Sequence, residues 1–434
     1  MNLKEIMKVR RELEKFLAPY KEDIGRSDRM RHCGLYVSGL MLSGERKSVQ
    51  PMAERLPGAS EQNLQQFVNQ SPWDHETVLR RLRKEMTAWG GGRGGVLVLD
   101  DTTLPKKGES SVGVARQYCG ALGKIANCQC VVSWHYAGRK GHWPLSAELY
   151  VPKEWRERKR TASVGIPKDR LAAGTKWEVA LRLLKEMGGD VPHRAVVFDA
   201  WYGESKAFRE ELDRCGERFV GAIPRNQSFW PVGVRMRGRR RGDRTPFTKT
   251  ADGRMKPRMS EEWGRDGEWH RIELKTAGRA TVLAKAIRVR ETNQNHWRRP
   301  GAERWLIVEQ ESSGRLTYYV SNFPATVTLR EMILTVHERW KVEQGYQRLK
   351  EELGLDHFEG RSWRGLHHHI TLCFLAYAFL LKTGRALKKT ASRSRSCGDG
   401  STGSFPSIAV PAAGHGRDQE IALSSETLPA AACT

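Results

Sequence analysis

Twice in this chain a short, unbroken apolar run ends on an aspartate: Val96-Leu97-Val98-Leu99-Asp100 and Ala195-Val196-Val197-Phe198-Asp199. Such runs predict strands buried on both faces, which belong to sheets covered by helices. A mixed α/β fold is therefore the expectation. Polar groups gather where buried strands end, so Asp100 and Asp199 are the first candidates for a shared site. Asp100 is expected to close its strand, with Asp101 alternating to the other face. A capped turn of Asp100 with Thr102 and Thr103 is the plain structural alternative.

A third carboxylate comes from a helix. Thr328 and Glu331 form a capping box, and the pattern behind them predicts a helix running to about Gly354. Within it, Arg339-x3-Glu343-x6-Lys350 places one carboxylate between two cations. At about 100° per residue the three fall within about 40° of each other, beside the apolar stripe of Leu329, Met332 and Val336. A carboxylate that can hold a metal, bracketed by cations that can hold phosphate, suits phosphoryl chemistry. A salt-bridge ladder, with Arg339 and Glu343 as an i,i+4 pair, is the structural alternative. Gly345 costs about 1 kcal/mol relative to alanine in a helix interior. Close approach by DNA, a neighbouring backbone or simple packing would account for it.

The rest of the chain organises around these three points. Residues 1–90 read as a helical region suited to DNA binding, with Leu3, Ile6, Met7, Leu13 and Phe16 on one helix and Asp74 capping another. Residues 91–230 contain both aspartates, strands at 128–136 and 142–151, a helix capped by Thr175 and Glu178, a helix from about Ser205 to Gly216, and a strand at 219–223. Residues 231–325 begin with a Gly-rich basic loop, Arg235 to Arg258, and continue with alternating runs such as Leu283 to Val289, which predict a β-rich insertion. Residues 326–387 carry the Glu343 helix. From 388 to 434 the chain turns rich in Ser, Gly, Ala and Pro, and disorder is expected.

Composition points to the partner. Lys and Arg number 74 against 50 Asp and Glu, a net charge of +24, and such an excess binds phosphates whatever the base sequence. Lys106, Lys107 and Arg116 are candidates to hold phosphates near Asp100, with a solvated basic turn as the alternative. Tryptophans of the insertion can stack on unpaired bases, Trp305 or Trp297 first among them, although most tryptophans simply pack. Asp356 or Glu359 could replace Glu343 as third carboxylate. His367-His368-His369 resembles a metal tag, but successive helical residues point about 100° apart and do not converge on one ion. The 8 cysteines lack paired spacing, so neither a zinc site nor a disulfide framework is expected. No apolar run is long enough to span a bilayer, no signal peptide is visible, and a cytoplasmic, nucleoid-associated bacterial protein is expected.

Taken together these motifs resemble a known family, the bacterial insertion-sequence transposases of the DDE superfamily. The resemblance is carried by Val96 to Thr102 with Pro105-Lys106-Lys107-Gly108, by Ser111 to Tyr118, by Val197 to Gly203, by Arg339-Trp340-Lys341-Val342-Glu343-Gln344, and by Leu355 to Trp363. It runs from roughly Phe67 to Leu381. It implies a ribonuclease-H-like core interrupted by a β-rich insertion before the last catalytic helix. It further implies that Asp100, Asp199 and Glu343 form a catalytic triad binding two Mg²⁺ ions, with Mn²⁺ able to substitute. The family's Tyr-Arg-Glu-Lys signature is met at Arg339, Glu343 and Lys350, while Val336 stands where the tyrosine would be. The implied activity is binding of the element's terminal inverted repeats, cleavage, and joining of ends to target DNA, by a homodimer that bridges two ends. A ribonuclease-H-like endonuclease without strand transfer, or an inactive DNA-binding derivative, are the alternatives.

Overall fold

The computed structural model describes residues 3–157, 161–236, 256–274, 280–293 and 299–392. Six helices open the chain: α1 (Leu3–Leu17), α2 (Lys21–Ile24), α3 (Ser27–Met41), α4 (Val49–Arg55), α5 (Glu61–Asn69) and α6 (His75–Gly90). Asp74 caps α6 by accepting from the Glu76 amide. The strands that follow are β1 (Val96–Pro105), β2 (Ala115–Cys119), β3 (Lys124–Gly138) and β4 (Gly141–Leu149). A short helix α7 (Lys153–Glu157) precedes α8 (Lys176–Met187), whose Thr175–Glu178 capping box has both of its hydrogen bonds; loss of such a cap costs about 1 kcal/mol. Next come β5 (Ala195–Phe198), α9 (Ala200–Glu204), α10 (Lys206–Arg214) and β6 (Phe219–Ile223).

The order β4-β3-β1-β5-β6 is the ribonuclease-H-like arrangement. β3 runs antiparallel to β1 and β4, whereas β5 is parallel to both β1 and β6. Val96, Leu97, Val98 and Leu99 are almost wholly buried, as are Ala195 to Phe198. These two runs form the middle of the sheet, as their continuous apolar character demands.

One expectation is corrected here. β1 does not end at Asp100 but continues to Pro105, with Asp100 opposite Ser133 and Pro105 opposite Cys128. Its polar second half is held by the long β3, a partner distant in sequence.

The insertion adds β7 (Ser228–Pro231), β8 (Arg258–Met259), the turn-length helix α11 (Ser260–Trp263), β9 (His270–Leu274), β10 (Ala280–Asn293), β11 (Arg299–Gln310) and β12 (Leu316–Ser321). It is not a separate lobe: β12 pairs directly with β6, so the catalytic sheet runs on into the insertion. A buried ion pair, Arg209 with Glu291 at 2.7 Å, ties α10 to β10 beside this seam. Most of the basic loop, Trp297 and the tail beyond residue 392 lie outside the described residues.

The expected single helix from Thr328 to Gly354 is two helices, α12 (Leu329–Val336) and α13 (Trp340–Glu351), joined by a tight turn at His337–Arg339. The Thr328–Glu331 capping box is present. α12 lies over β5, β6 and β10, whereas α13 lies over β1, β3 and β4. A twisted sheet separates these two surfaces in direction, and the turn re-aims the helix between them. His337 fixes it by bonding Glu309 of β11 at 3.0 Å.

Helix α14 (Trp363–Ser392) is apolar on nearly every side from Leu366 to Phe379. It passes between β4 and helices α3, α5 and α6, which puts the N-terminal region and the sheet in one hydrophobic core. No helix among the described residues is long and apolar enough to cross a membrane.

Candidate active site

Asp100 sits midway along β1 and Asp199 directly follows β5, so the parallel pairing of the two strands brings both carboxylates to one region of the sheet. Asp199 caps α9, accepting from the Tyr202 amide at 3.2 Å. Asp100 accepts from the Asp101 amide at 2.8 Å. Burial pushes the pKa of Asp100 up to about 7; Asp199 and Asp101 add to the rise, and Arg339 opposes it. The pKa of Asp199 is also raised, chiefly by burial. Two largely desolvated carboxylates that repel each other require a cation nearby.

Part of that need is met by Arg339. Its guanidinium lies 3.6 Å from the Asp100 carboxylate and bonds Glu343 at 2.6 Å. Glu343 itself, on the first turn of α13, remains about half exposed. The i,i+4 pair expected as a structural alternative is therefore present, and it reaches Asp100 as well. Among the described residues no three acidic, histidine or cysteine side chains lie close enough to share one ion. The donor set nonetheless fits a hard divalent cation: carboxylate oxygens, two of them desolvated, on a side chain arrangement already neutralised by a guanidinium.

Asp101 points to the other face of the sheet, as alternation predicts, into a polar pocket that sequence reasoning did not identify. It accepts from Lys176 at 2.9 Å, the Cys130 thiol at 3.0 Å and the Tyr202 hydroxyl at 3.3 Å. Burial works against the Lys176 charge, yet Cys130 and Asp101 together hold its pKa above the ordinary lysine range. On the α13 side, Tyr346 bonds Ser133, whose hydroxyl lies 2.7 Å from His135. Tyr346 Oη also approaches the Asp100 carbonyl at 3.5 Å. These partners come from β3, α8, α9 and α13, and only Lys176, next to a recognisable helix cap, left a local signal.

The cationic candidates divide into two kinds. Lys107 and Arg116 are exposed. Lys106 donates to the Phe358 carbonyl, and Lys350 donates to the Thr103 carbonyl at 3.1 Å. Burial lowers the pKa of both, that of Lys106 to about 8, and Asp356 acts against the shift in each case. Asp356 thus sits with these two lysines, while Glu359 pairs with Arg46 at 2.7 Å. Trp305 is half-buried against the core, with the Arg288 guanidinium 4.8 Å above its ring.

Gly345 is explained by packing: a Cβ there would lie 2.3 Å from His142 Nε2. The histidine triplet is likewise structural. His367 accepts from the Leu149 amide, His368 has its ring nitrogens 2.9 Å from the carbonyls of Val68 and Trp73, and His369 bonds Tyr36 and the Gly354 carbonyl. The six described cysteines are free thiols.

Fold and site together describe a ribonuclease-H-like protein with an acidic cluster at the ends of its two central strands and a third carboxylate on the helix across them. Its sequence places it further. The chain belongs to the DDE superfamily endonucleases, whose family model matches residues 19–281. It is 33% identical over 189 residues to a probable transposase for insertion sequence element IS701 from Microchaete diplosiphon, an alignment covering 42% of this chain and 46% of that protein. The chain thus spans less than half the length of that curated relative. Among solved structures it is similar to a piggyBac transposase in a synaptic complex with hairpin DNA, at TM-score 0.43 and 10% identity, covering 88% of this chain and 74% of the other. The NurA nuclease from Sulfolobus solfataricus follows at TM-score 0.26 and 8% identity, covering 73% of this chain and 92% of that one.

Proposed function

We propose that this chain is a DNA transposase: it binds the terminal inverted repeats of its element, cleaves at the ends and joins the freed 3′ ends to target DNA. The observation that carries this reading is the meeting of Asp100 and Asp199 on adjacent parallel strands with Glu343 linked to them through Arg339. Asp100, Asp199 and Glu343 would hold two Mg²⁺ ions, for which Mn²⁺ substitutes. When bound, such cations increase the acidity of an attacking water or 3′-hydroxyl and stabilise the leaving oxygen of an in-line displacement.

The protein's own groups supply the rest. The rigid pairing of β1 with β5 sets the spacing of the two aspartates. Ser133, Tyr346 and His135 brace β1 and α13 on the Glu343 side, and Lys176, Cys130 and Tyr202 brace Asp101 on the other. Arg339 holds the carboxylates together before substrate arrives and turns to a phosphate once they are otherwise engaged. Exposed Lys107 and Arg116 take phosphates along the approach to Asp100, while Lys106 and Lys350 stiffen the end of β1 and extend the basic surface. The helices of residues 1–90, anchored on α14, are the surface for repeat recognition. Two ends must be held at once, so the working form is a homodimer acting on double-stranded DNA in the bacterial cytoplasm, at the nucleoid.

Incubating the protein with repeat-ended DNA, target DNA and Mg²⁺, and resolving the products by strand, tests this directly. Cleavage at the ends followed by joining is expected. Cleavage without joining would make the chain an endonuclease, and binding without cleavage a DNA-binding derivative.

A further inference from the structure

A cleft of about 360 Å³ opens beside the acidic cluster, lined by Tyr150, Thr175, Lys176, Trp177, Trp201 and Glu204. Three of these six side chains are aromatic. Trp201 is 48% exposed although it stands only two residues after Asp199, in the first turn of α9. Its ring is not loose: the Lys176 ammonium lies 5.0 Å from its centroid, and Tyr202 meets it edge-on at 5.0 Å. Lys176 also bonds Asp101, so the cleft shares a wall with the carboxylates. A lone exposed tryptophan is ordinary. One held rigid in an aromatic-lined cleft, with a lysine at its face and the candidate active site behind it, is suited to a flat, anionic-backbone ligand.

We propose that this cleft takes one unpaired nucleobase of the DNA end, stacked on Trp201, with the adjoining phosphate on the lysine side. This rests on the DNA-processing reading above and adds a substrate feature to it: the preferred ligand is a duplex whose end carries an unstacked base. Stacking on an aromatic ring tolerates any base. The exposed Glu204 carboxylate at the rim accepts hydrogen bonds only, so it favours bases with an exocyclic amine over thymine. An end already unpaired avoids the cost of pulling a base from its stack.

Binding without metal separates this from chemistry. In EDTA, the protein is titrated with a blunt duplex and with the same duplex bearing a short single-stranded end that carries 2-aminopurine. Tighter binding of the unpaired end, by about tenfold, is expected from one base–aromatic stack, together with quenched 2-aminopurine fluorescence. Trp201→Ala should remove both the preference and the quench while blunt-duplex affinity stays within about twofold, and Trp201→Phe should retain part of both. A preference and quench that survive Trp201→Ala overturn the proposal, as does wild-type protein that binds both duplexes equally. Protein that binds neither duplex defeats the DNA-processing reading itself, and the cleft assignment with it.

Discussion

Arg339 and Asp100 face each other across the sheet, guanidinium to carboxylate at 3.6 Å, and the same guanidinium holds Glu343 at 2.6 Å. One side chain thus supplies positive charge at the place where carboxylates are expected to hold metal. Replacing it should relieve competition. Arg339→Gln is expected to tighten Mn²⁺ binding to the DNA-free protein about fivefold, the equivalent of roughly 1 kcal/mol for a partly exposed pair. Electron paramagnetic resonance of free and bound Mn²⁺ measures this, and unchanged or weaker binding would show that the guanidinium supports the carboxylates without competing.

The three carboxylates should be separable from DNA affinity. Asp100→Asn, Asp199→Asn and Glu343→Gln are each expected to lower end cleavage by at least about a thousandfold, because each removes an anionic oxygen ligand. Filter or anisotropy binding should change only slightly. Asparagine caps helices as well as aspartate does, so Asp199→Asn keeps the start of α9. Normal cleavage by Glu343→Gln would remove that residue from the site.

Phosphate contacts are distinguished by salt. Lys107→Ala and Arg116→Ala should each flatten the dependence of log K on log salt by about 0.9, one counterion per lost contact. Lys350→Ala is expected to leave the slope unchanged and to lower thermal stability, since its ammonium serves the Thr103 carbonyl. A reduced slope for Lys350→Ala would mean that its ammonium leaves this carbonyl for DNA.

Gly345→Ala tests the packing between α13 and β4. Alanine gains about 1 kcal/mol of helix propensity, but its Cβ would meet the His142 ring at 2.3 Å. Overpacking of this kind typically costs 1–3 kcal/mol, so a net loss of about 1 kcal/mol in urea unfolding is expected. A more stable variant would mean that His142 swings away freely.

His142 also gives a pH signature. Burial lowers its pKa from 6.5 to about 3, and Tyr377 bonds its Nε2 at 2.7 Å. The unfolded chain therefore takes up this proton first: the stability it contributes is complete above pH 6.5 and is lost as pH falls toward 3. His142→Gln should make unfolding free energy fall less steeply between pH 6 and pH 4, by up to one proton's worth of slope. Parallel wild-type and variant curves would contradict the neutral, buried assignment.

What the amino-acid sequence discloses here is what acts locally. β5, the Thr175 and Thr328 capping boxes and the Arg339–Glu343 pair depend on neighbours a few residues away, and all are present. The second half of β1 was not readable, because Asp101-Thr102-Thr103 look like a turn until β3 pairs with them. Nor was the break before Trp340, which answers to the twist of a sheet assembled from distant strands. The surroundings of Asp101 draw on residues from 130, 176 and 202, and no spacing announces such a meeting. Gly345 signalled a close neighbour without saying which.

The direct pairing of β6 with β12 has a mechanical meaning. A continuous hydrogen-bonded ladder leads from the outer insertion strands to β5, at whose tip Asp199 stands. Force applied by a duplex gripping the far strands would arrive at that aspartate with little slack. Nor could evolution or an engineer trim the accessory strands cleanly, because cutting them away would bare the β6 flank as an open, sticky border.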